Sequence, residues 1–274
     1  MIEIDNIYNE DCLEGMKRIP DKSVDCVICD LPYGTTACKW DVVIHLDKLW
    51  EQYRRVLKHQ GSVLLFGSEP FSSMLRMSNL DWYKYDWIWQ KGTPSGFQHA
   101  KNMPMKDYEN ICVFSGAGMG HASRLGENRM IYNPQGLQKM DKPVVEHNKR
   151  CKFSGTVGSR PSNQDTVVRE ITNYPRMIQF FDNQCGETMN NKRLHPTQKP
   201  VGLLTAIVER LCPDVQTILD PFGGSGSTLI AADRLGKRCL MMELSPEYVD
   251  VILARWETFT GKTAQLITPG DKVS

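Results

Sequence analysis

Two hundred and seventy-four residues suffice for one large domain or a core domain with an insert, and 41% hydrophobic with 24% charged residues is ordinary globular composition, which excludes disorder, collagen and coiled coil. Lys+Arg 33 against Asp+Glu 32 gives a formal charge of +1, so the chain as a whole carries no electrostatic footprint of a nucleic-acid or membrane partner. The opening MIEIDNIYNED has no basic-then-apolar leader, and apolar runs such as Val63 to Phe66 fall far short of the ~20 residues of a membrane span, so the expectation is a soluble cytoplasmic chain.

From Ser23 onward, buried strands alternate with amphipathic helices. VDCVICD (24–30) reads as a strand; LDKLWEQYRRVL (46–57) places Leu46, Leu49, Trp50, Tyr53, Val56 and Leu57 on one helical stripe. GSVLLFGS (61–68) is a second strand and FSSMLRMSNL (71–80) a helix, and 85–91 with 110–116 form an expected antiparallel pair at a sheet edge. The alternation resumes with a helix at 201–212, a strand at 217–222, a helix at 226–236, a strand at 238–244 and a helix at 246–259. Continuous apolar strands separated by helices predict a doubly wound α/β domain with a mostly parallel sheet, whose ligands bind beyond the carboxyl ends of the strands.

Residues 115–195 differ. These 81 residues hold 8 Gly, 8 Asn, 4 Pro and no Trp, show no sustained period, and are too long for a plain loop, which predicts a subdomain or functional insert. Their 12 Lys/Arg against 7 Asp/Glu give +5 and leave 21 against 25, or −4, for the rest, so the near-neutral total conceals a basic insert in an acidic body.

Nine cysteines in a chain without an export leader read as reduced thiols. The single CxxC, Cys26 to Cys29, lies inside an apolar strand and reads as two small buried side chains, since no second CxxC or zinc-spaced His pair accompanies it; no metal is expected.

Two strand ends carry chemistry. Asp220-Pro-Phe-Gly-Gly-Ser-Gly-Ser-Thr228 closes one strand and opens a helix; its glycines let the backbone approach a ligand and Asp220 offers a carboxylate. Leu229 stands where a dinucleotide fingerprint needs its third glycine, and no Gly-Lys-Ser/Thr makes a P-loop. Glu243 ends the next strand, where an acid grips ribose hydroxyls, so a nucleoside without a pyrophosphate fits. At the other end, Asp30-Leu31-Pro32-Tyr33-Gly34 combines an acceptor with an aromatic plate, suited to a planar base bearing an amino group; the plain alternative is a strand-terminating turn.

Asp30-Leu-Pro-Tyr33 resembles the D-P-P-Y motif of amino-group DNA methyltransferases, Leu31 replacing a proline; Asp220-Pro-Phe-Gly-Gly-Ser-Gly226 resembles their F-x-G-x-G cofactor motif, and His195-Pro-Thr-Gln-Lys-Pro200 their H-P-T-x-K-P motif. The order, catalytic motif first and cofactor motif last, is similar to the circularly permuted β-class, across 1–114 and 193–260. The resemblance implies a seven-stranded, S-adenosylmethionine-dependent methyltransferase fold made of a catalytic half at 1–114, a target-recognition insert at 115–192 and a cofactor half at 193–274. It implies that Asp30, Pro32 and Tyr33 are catalytic, with Asp30 also beside the cofactor. Asp220, Phe222, Gly224, Gly226 and Glu243 would line S-adenosylmethionine, with Asp11 and the Cys12 amide reading its adenine, Glu10 standing where the family has Gly. Thr197 and Lys199 would bind its methionyl carboxylate or hold the helix that does, and His195 is either part of that group or a helix cap.

The implied activity is transfer of a methyl group to N6 of adenine in duplex DNA, by base flipping and in-line attack, because Asp at the first motif position goes with adenine. The alternative is N4 of cytosine, and the more distant rivals are an RNA or protein methyltransferase and a DNA-binding protein without catalysis. Arg124, Arg129, Lys149, Arg150, Lys152 and Arg160 are the expected DNA contacts, although KRCK (149–152) reads equally as a solvated loop. A second aromatic wall for the flipped base is offered by Trp40 or Phe97, with core packing as the plain reading of both. A homodimer and a cognate restriction endonuclease are compatible partners; the recognition sequence is not legible.

Overall fold

The computed structural model describes residues 6–32, 44–147, 166–182, 198–211 and 216–265. The amino-terminal half contains β1 (Ile7–Tyr8), α1 (Cys12–Met16), β2 (Val24–Asp30), α2 (Leu46–Val56), β3 (Leu57–Gly67), α3 (Phe71–Ser78), β4 (Tyr83–Ser95), β5 (Lys106–Phe114) and the short α4 (Ala122–Leu125). After β6 (Gln138–His147), β7 (Thr166–Thr172) and β8 (Ile178–Phe181) come α5 (Val201–Leu211), β9 (Thr217–Asp220), α6 (Ser227–Arg234), β10 (Arg238–Met242) and α7 (Pro246–Thr260).

Eight strands form one sheet in the order β1-β10-β9-β2-β3-β5-β4-β8. Every neighbouring pair is parallel except the two that β5 makes, with β3 and with β4. Side chains of a strand alternate between faces. Cys26, Ile28, Leu64 and Phe66 therefore pack on one face with α5, α6 and Ile252 of α7, while Val27, Cys29, Val63 and Leu65 pack on the other with α1, α2 and α3. Helices cover both faces, as a doubly wound domain requires. The same alternation sends Cys26 and Cys29 to opposite sides of the sheet, which denies them a shared ligand.

From β2 the chain moves to β3 on one side, and from β9 to β10 on the other, with β2 and β9 paired through Cys26↔Ile218 and Val27↔Leu219. Strand order thus reverses between β2 and β9, and a crevice outside their carboxyl ends is where such sheets bind ligands. Both chemistry-bearing turns leave the sheet at this reversal.

Three features differ from the sequence expectation. The sheet has eight strands rather than seven, because Ile178–Phe181 adds β8 alongside β4, pairing Ile88↔Ile178 to Lys91↔Phe181. The β4–β5 pair is antiparallel as expected but not at the edge, since β5 lies against β3 and β8 covers β4. Part of the 115–192 insert also belongs with the sheet: Ala117 and Met130 are buried in its core, and the separate compact unit is the shorter Pro134–Arg176.

That unit contains two strands where no period was legible. β6 and β7 pair antiparallel from Gln138↔Thr172 to His147↔Thr166, with a register shift between Lys139 and Val144. Asn173, in the left-handed region at φ 61°, donates through its side chain to the Gly136 carbonyl at 2.6 Å and closes the open end. A groove of about 990 Å³ runs over the hairpin, lined among others by Val144, Val168, Ile171, Tyr174, Arg169 and Arg176. Among the described residues no helix is long and apolar enough to cross a membrane.

Candidate active site

β2 ends on Asp30, in register with Phe66 of β3, and Leu31 turns back into the core. Lys199, immediately before α5, brings its Nζ onto Asp30 Oδ2 and within 3.4 Å of Glu109 Oε2, over the Phe66 ring at 5.1 Å. Glu109, near the start of β5, in turn receives Lys91 of β4 at 2.5 Å. Burial alone would lower the Lys199 ammonium, but Asp30 and Glu109 together hold it above the ordinary lysine range. Burial alone would raise Glu109, yet Lys199 and Lys91 keep its carboxyl below the usual range. An alternating chain of carboxylate, ammonium, carboxylate and ammonium therefore runs from the end of β2 to the base of the β4–β5 hairpin, with each buried charge met by an opposite one.

β9 ends on Asp220, which is 3% exposed. Its Oδ1 accepts from the Phe222 amide at 3.1 Å, and the Thr228 hydroxyl also donates to it. Burial pushes this carboxyl up to about 7 against those hydrogen bonds, with the charges of Asp30 and Glu243 adding to the rise. The Asp30 and Asp220 carboxylates are thus electrostatic neighbours across the strand reversal.

The glycine turn is held from three sides. Gly226 sits at φ 75°, where a Cβ would meet Ile252 at 2.7 Å, so both backbone and packing demand glycine. Gly224, at φ 54°, would bring a Cβ only to ordinary contact distance, 3.8 Å from the Phe222 carbonyl oxygen. Glu243, just past β10, accepts the Gly224 amide through Oε2 and the Ser245 amide through Oε1, each at 2.8 Å, and so ties the turn to the entry of α7. Behind the turn, Arg255 of α7 is 3% exposed; its Nη1 donates to the Ser225 carbonyl at 2.6 Å and to the Ser225 and Ser227 hydroxyls at 3.2 and 3.0 Å.

On the other side of β10, the Asn9 side chain donates to the Glu243 and Leu244 carbonyls at 2.8 and 3.0 Å. Asp11 caps α1 by accepting the Leu13 and Glu14 amides at 2.9 and 3.2 Å. The Cys12 thiol is buried, and burial with the Asp11 charge pushes it up to about 12, so it is an inert packing group.

The sequence-expected residues Asp30, Pro32, Asp220, Phe222, Gly224, Gly226 and Glu243 stand at the carboxyl ends of β2, β9 and β10, while Asp11 and Cys12 follow β1 in the adjoining position. Lys199, expected at a cofactor carboxylate, is paired with Asp30. Tyr33, Trp40, Lys149, Arg150, Lys152, Arg160, His195 and Thr197 lie outside the described residues. Arg124 and Arg129 are exposed and belong to the sheet unit, not to Pro134–Arg176. Phe97, for which core packing was the plain reading, is instead 81% exposed. Sequence reasoning missed Glu109, Lys91, Thr228 and Arg255. Thr228 lay within the quoted motif and was legible; the others reach the site only through strand register or from the far side of a helix.

A model of the amino-group DNA methylases, described as "DNA methylase", matches residues 24–254. The DNA adenine methyltransferase YhdJ of Escherichia coli (strain K12) is 27% identical over 284 residues, covering 96% of this chain and 86% of that protein. The crystal structure of the M1.HpyAVI–SAM complex superposes with a TM-score of 0.57 at 20% identity, covering 91% of this chain and 98% of the other. The PvuII DNA methyltransferase, cytosine-N4-specific, gives 0.58 at 16% identity, covering 95% and 92%.

Proposed function

We propose, from the premise that this chain belongs to the N6/N4 amino-group DNA methylase family, that it transfers a methyl group from S-adenosylmethionine to N6 of adenine in duplex DNA. The observation that carries the reading is the meeting of Asp30 and the Asp220 glycine turn at the strand reversal, close enough that the Asp30 charge is felt at Asp220. Adenine rather than cytosine rests on the aspartate at position 30 and on the name of the E. coli relative.

The residues at the reversal fit the methyl donor. Gly224 and Gly226 form a positive-φ turn that is uncrowded at Gly224, Asp220 and Glu243 offer carboxylates for an ammonium and for ribose hydroxyls, and Asp11 with the Cys12 backbone flanks them. S-adenosylmethionine supplies a sulfonium-activated methyl group there.

The chain's own part is to make an amino nitrogen nucleophilic. Its lone pair is delocalised into the ring, so acceptors for its N–H bonds at the Asp30 carboxylate and the Leu31 carbonyl favour a pyramidal nitrogen aimed at the methyl carbon. Lys199, paired with Asp30 Oδ2, sets a positive charge beside that carboxylate and fixes its direction, and Glu109 and Lys91 hold Lys199. Such groups act by orientation and preorganised charge. The target must leave the base stack, at a cost of a few kcal/mol, and Tyr33 would supply a stacking face.

Methyl transfer from labelled S-adenosylmethionine to unmethylated duplex DNA, with RNA as a parallel substrate, tests the reading. Label in DNA alone is the expected result; label in RNA alone overturns it.

A further inference from the structure

The β4–β5 hairpin extends past β3, and past β8, whose pairing with β4 ends at Lys91. β5 is antiparallel to both β3 and β4, so β4 runs in the direction of β3. β3 ends at Gly67, which faces Asn110, and Asn110 faces Ile88 of β4. β4 nevertheless continues to Ser95, which pairs with Lys106, so the ladder advances four residues of β5 at ~3.3 Å each, about 13 Å beyond the edge at which Asp30 stands. A register shift between Gln90 and Ser95 takes up the extra residues of β4.

The tip is compact. Gly96 at φ 88° opens a 3-10 turn over Phe97–His99, closed by His99 N to Gly96 O at 2.9 Å, Ala100 N to Phe97 O at 3.1 Å, and Asn102 N to His99 O at 2.8 Å. Ser95 pairs with Lys106 below it, and the Ser95 hydroxyl donates to the Lys106 carbonyl at 3.3 Å.

This turn presents apolar groups to solvent. Phe97 is 81% and Met103 60% exposed, and neither has a core to fill. From Trp87 to Lys106 the sequence contains Lys91, Lys101 and Lys106 and no acidic residue; Asp107 and Glu109 come only on the returning strand. Lys91 is engaged with Glu109 at the base and Lys106 pairs with Ser95 at the foot of the turn, so Lys101 is the lysine within the turn itself. An exposed aromatic plate on a firm finger whose turn (96–105) carries a lysine and no acid, beside a catalytic carboxylate, matches a polyanion whose interior consists of flat, stacked rings.

We propose that this finger is a wedge for the duplex: Phe97 enters the base stack beside the target nucleotide and fills the space left when it turns out, while Lys101 meets a flanking phosphate. The proposal rests on the DNA-methylating reading and adds to it the element that opens the helix. Met103, on the same tip, is the group able to pack beside Phe97 against the displaced partner base.

The test uses the full chain and duplex oligonucleotides bearing its site, found by single-molecule sequencing of DNA from cells that express it. The target is placed either in a normal pair or opposite an abasic position, where it is already loosened. Phe97→Ala is expected to slow turnover on the paired duplex about ten- to a hundredfold, the range of a lost base–aromatic contact. It should stay within about threefold of the unaltered chain on the abasic duplex and keep its affinity for S-adenosylmethionine, and Phe97→Trp should restore the paired rate. If the unaltered chain methylates both duplexes and Phe97→Ala matches it on the paired one, or falls equally on both, the wedge is overturned and the methyltransferase reading stands. A Phe97→Ala change that alters only the sedimentation of the protein overturns it in favour of a contact between copies. If the unaltered chain methylates neither duplex, the reading and the wedge fall together.

Discussion

The sheet unit and the Pro134–Arg176 unit are both built on paired strands, yet they spend their apolar residues in opposite ways. β2 and β3 bury most of their side chains between two helical layers, and the charge of Asp30 at the end of β2 is locked in a network with Lys199 and Glu109. Among the described residues β6 and β7 have no such cover: Val145 is 52% and Val168 53% exposed, and a two-stranded hairpin by itself is marginal in water. The first unit is a scaffold that fixes groups to within a hydrogen bond; the second presents a surface. The difference teaches that groups at the strand reversal are held to a fixed position, and that substitutions in the hairpin should be cheap for the fold.

The comparison breaks most severely at Asp30. Asp30→Ala is expected to lower methyl transfer by at least about a thousandfold while S-adenosylmethionine still binds, measurable as single-turnover rate against calorimetric affinity. Equal activity would remove Asp30 from the chemistry.

Asp220 gives the next largest effect, and it depends on pH. Its folded value of about 7 lies above the ordinary 3.8, so folding favours the protonated form. The stability it contributes is complete below pH ~4, falls as pH rises through 7, and stays lost above it. Asp220→Asn escapes this loss, so the stability of the variant relative to the unaltered chain should rise between pH 5 and 8 by on the order of 2–4 kcal/mol in urea titrations. A flat difference would mean that the carboxyl is not desolvated as described.

Arg255→Met removes the buried clamp on the Ser225 carbonyl. A loss of about 2–3 kcal/mol of stability is expected, together with weaker S-adenosylmethionine binding, because a buried acceptor loses its donor and the turn its support. Weakened folding with unchanged cofactor affinity would make the clamp purely structural.

For packing alone, Leu64→Ala in the sheet core should cost about 2–4 kcal/mol and Val168→Ala in the hairpin, the smallest effect, under ~0.5, by thermal or urea unfolding. Comparable costs would erase the distinction between the two units.

Much of the sheet unit was legible because its signals are local. The strands VDCVICD and TILD are continuous apolar runs, LDKLWEQYRRVL repeats at helical spacing, and the glycines at 224 and 226 mark a turn that their positive φ values require. The partners of Lys199 were not legible: Glu109 is 90 positions away and arrives through the register of β5 on β3. Arg255 looked like one more polar residue of an amphipathic helix, since nothing in a periodic pattern reveals that a guanidinium points inward at a turn. The β6 and β7 strands escaped because an exposed hairpin need not alternate apolar with polar, so the period that betrays a half-buried strand is missing. β8 was hidden for a related reason, being four residues long at the rim of an irregular segment.

The most direct test is the identity of the modified nucleoside. Unmethylated duplex DNA is incubated with the chain and labelled S-adenosylmethionine, digested to nucleosides and separated by chromatography, with Asp30→Ala as the control. All label in N6-methyladenine, and none with the control, is the expected result. Label in N4-methylcytosine, or label that survives the loss of the Asp30 carboxylate, would contradict it.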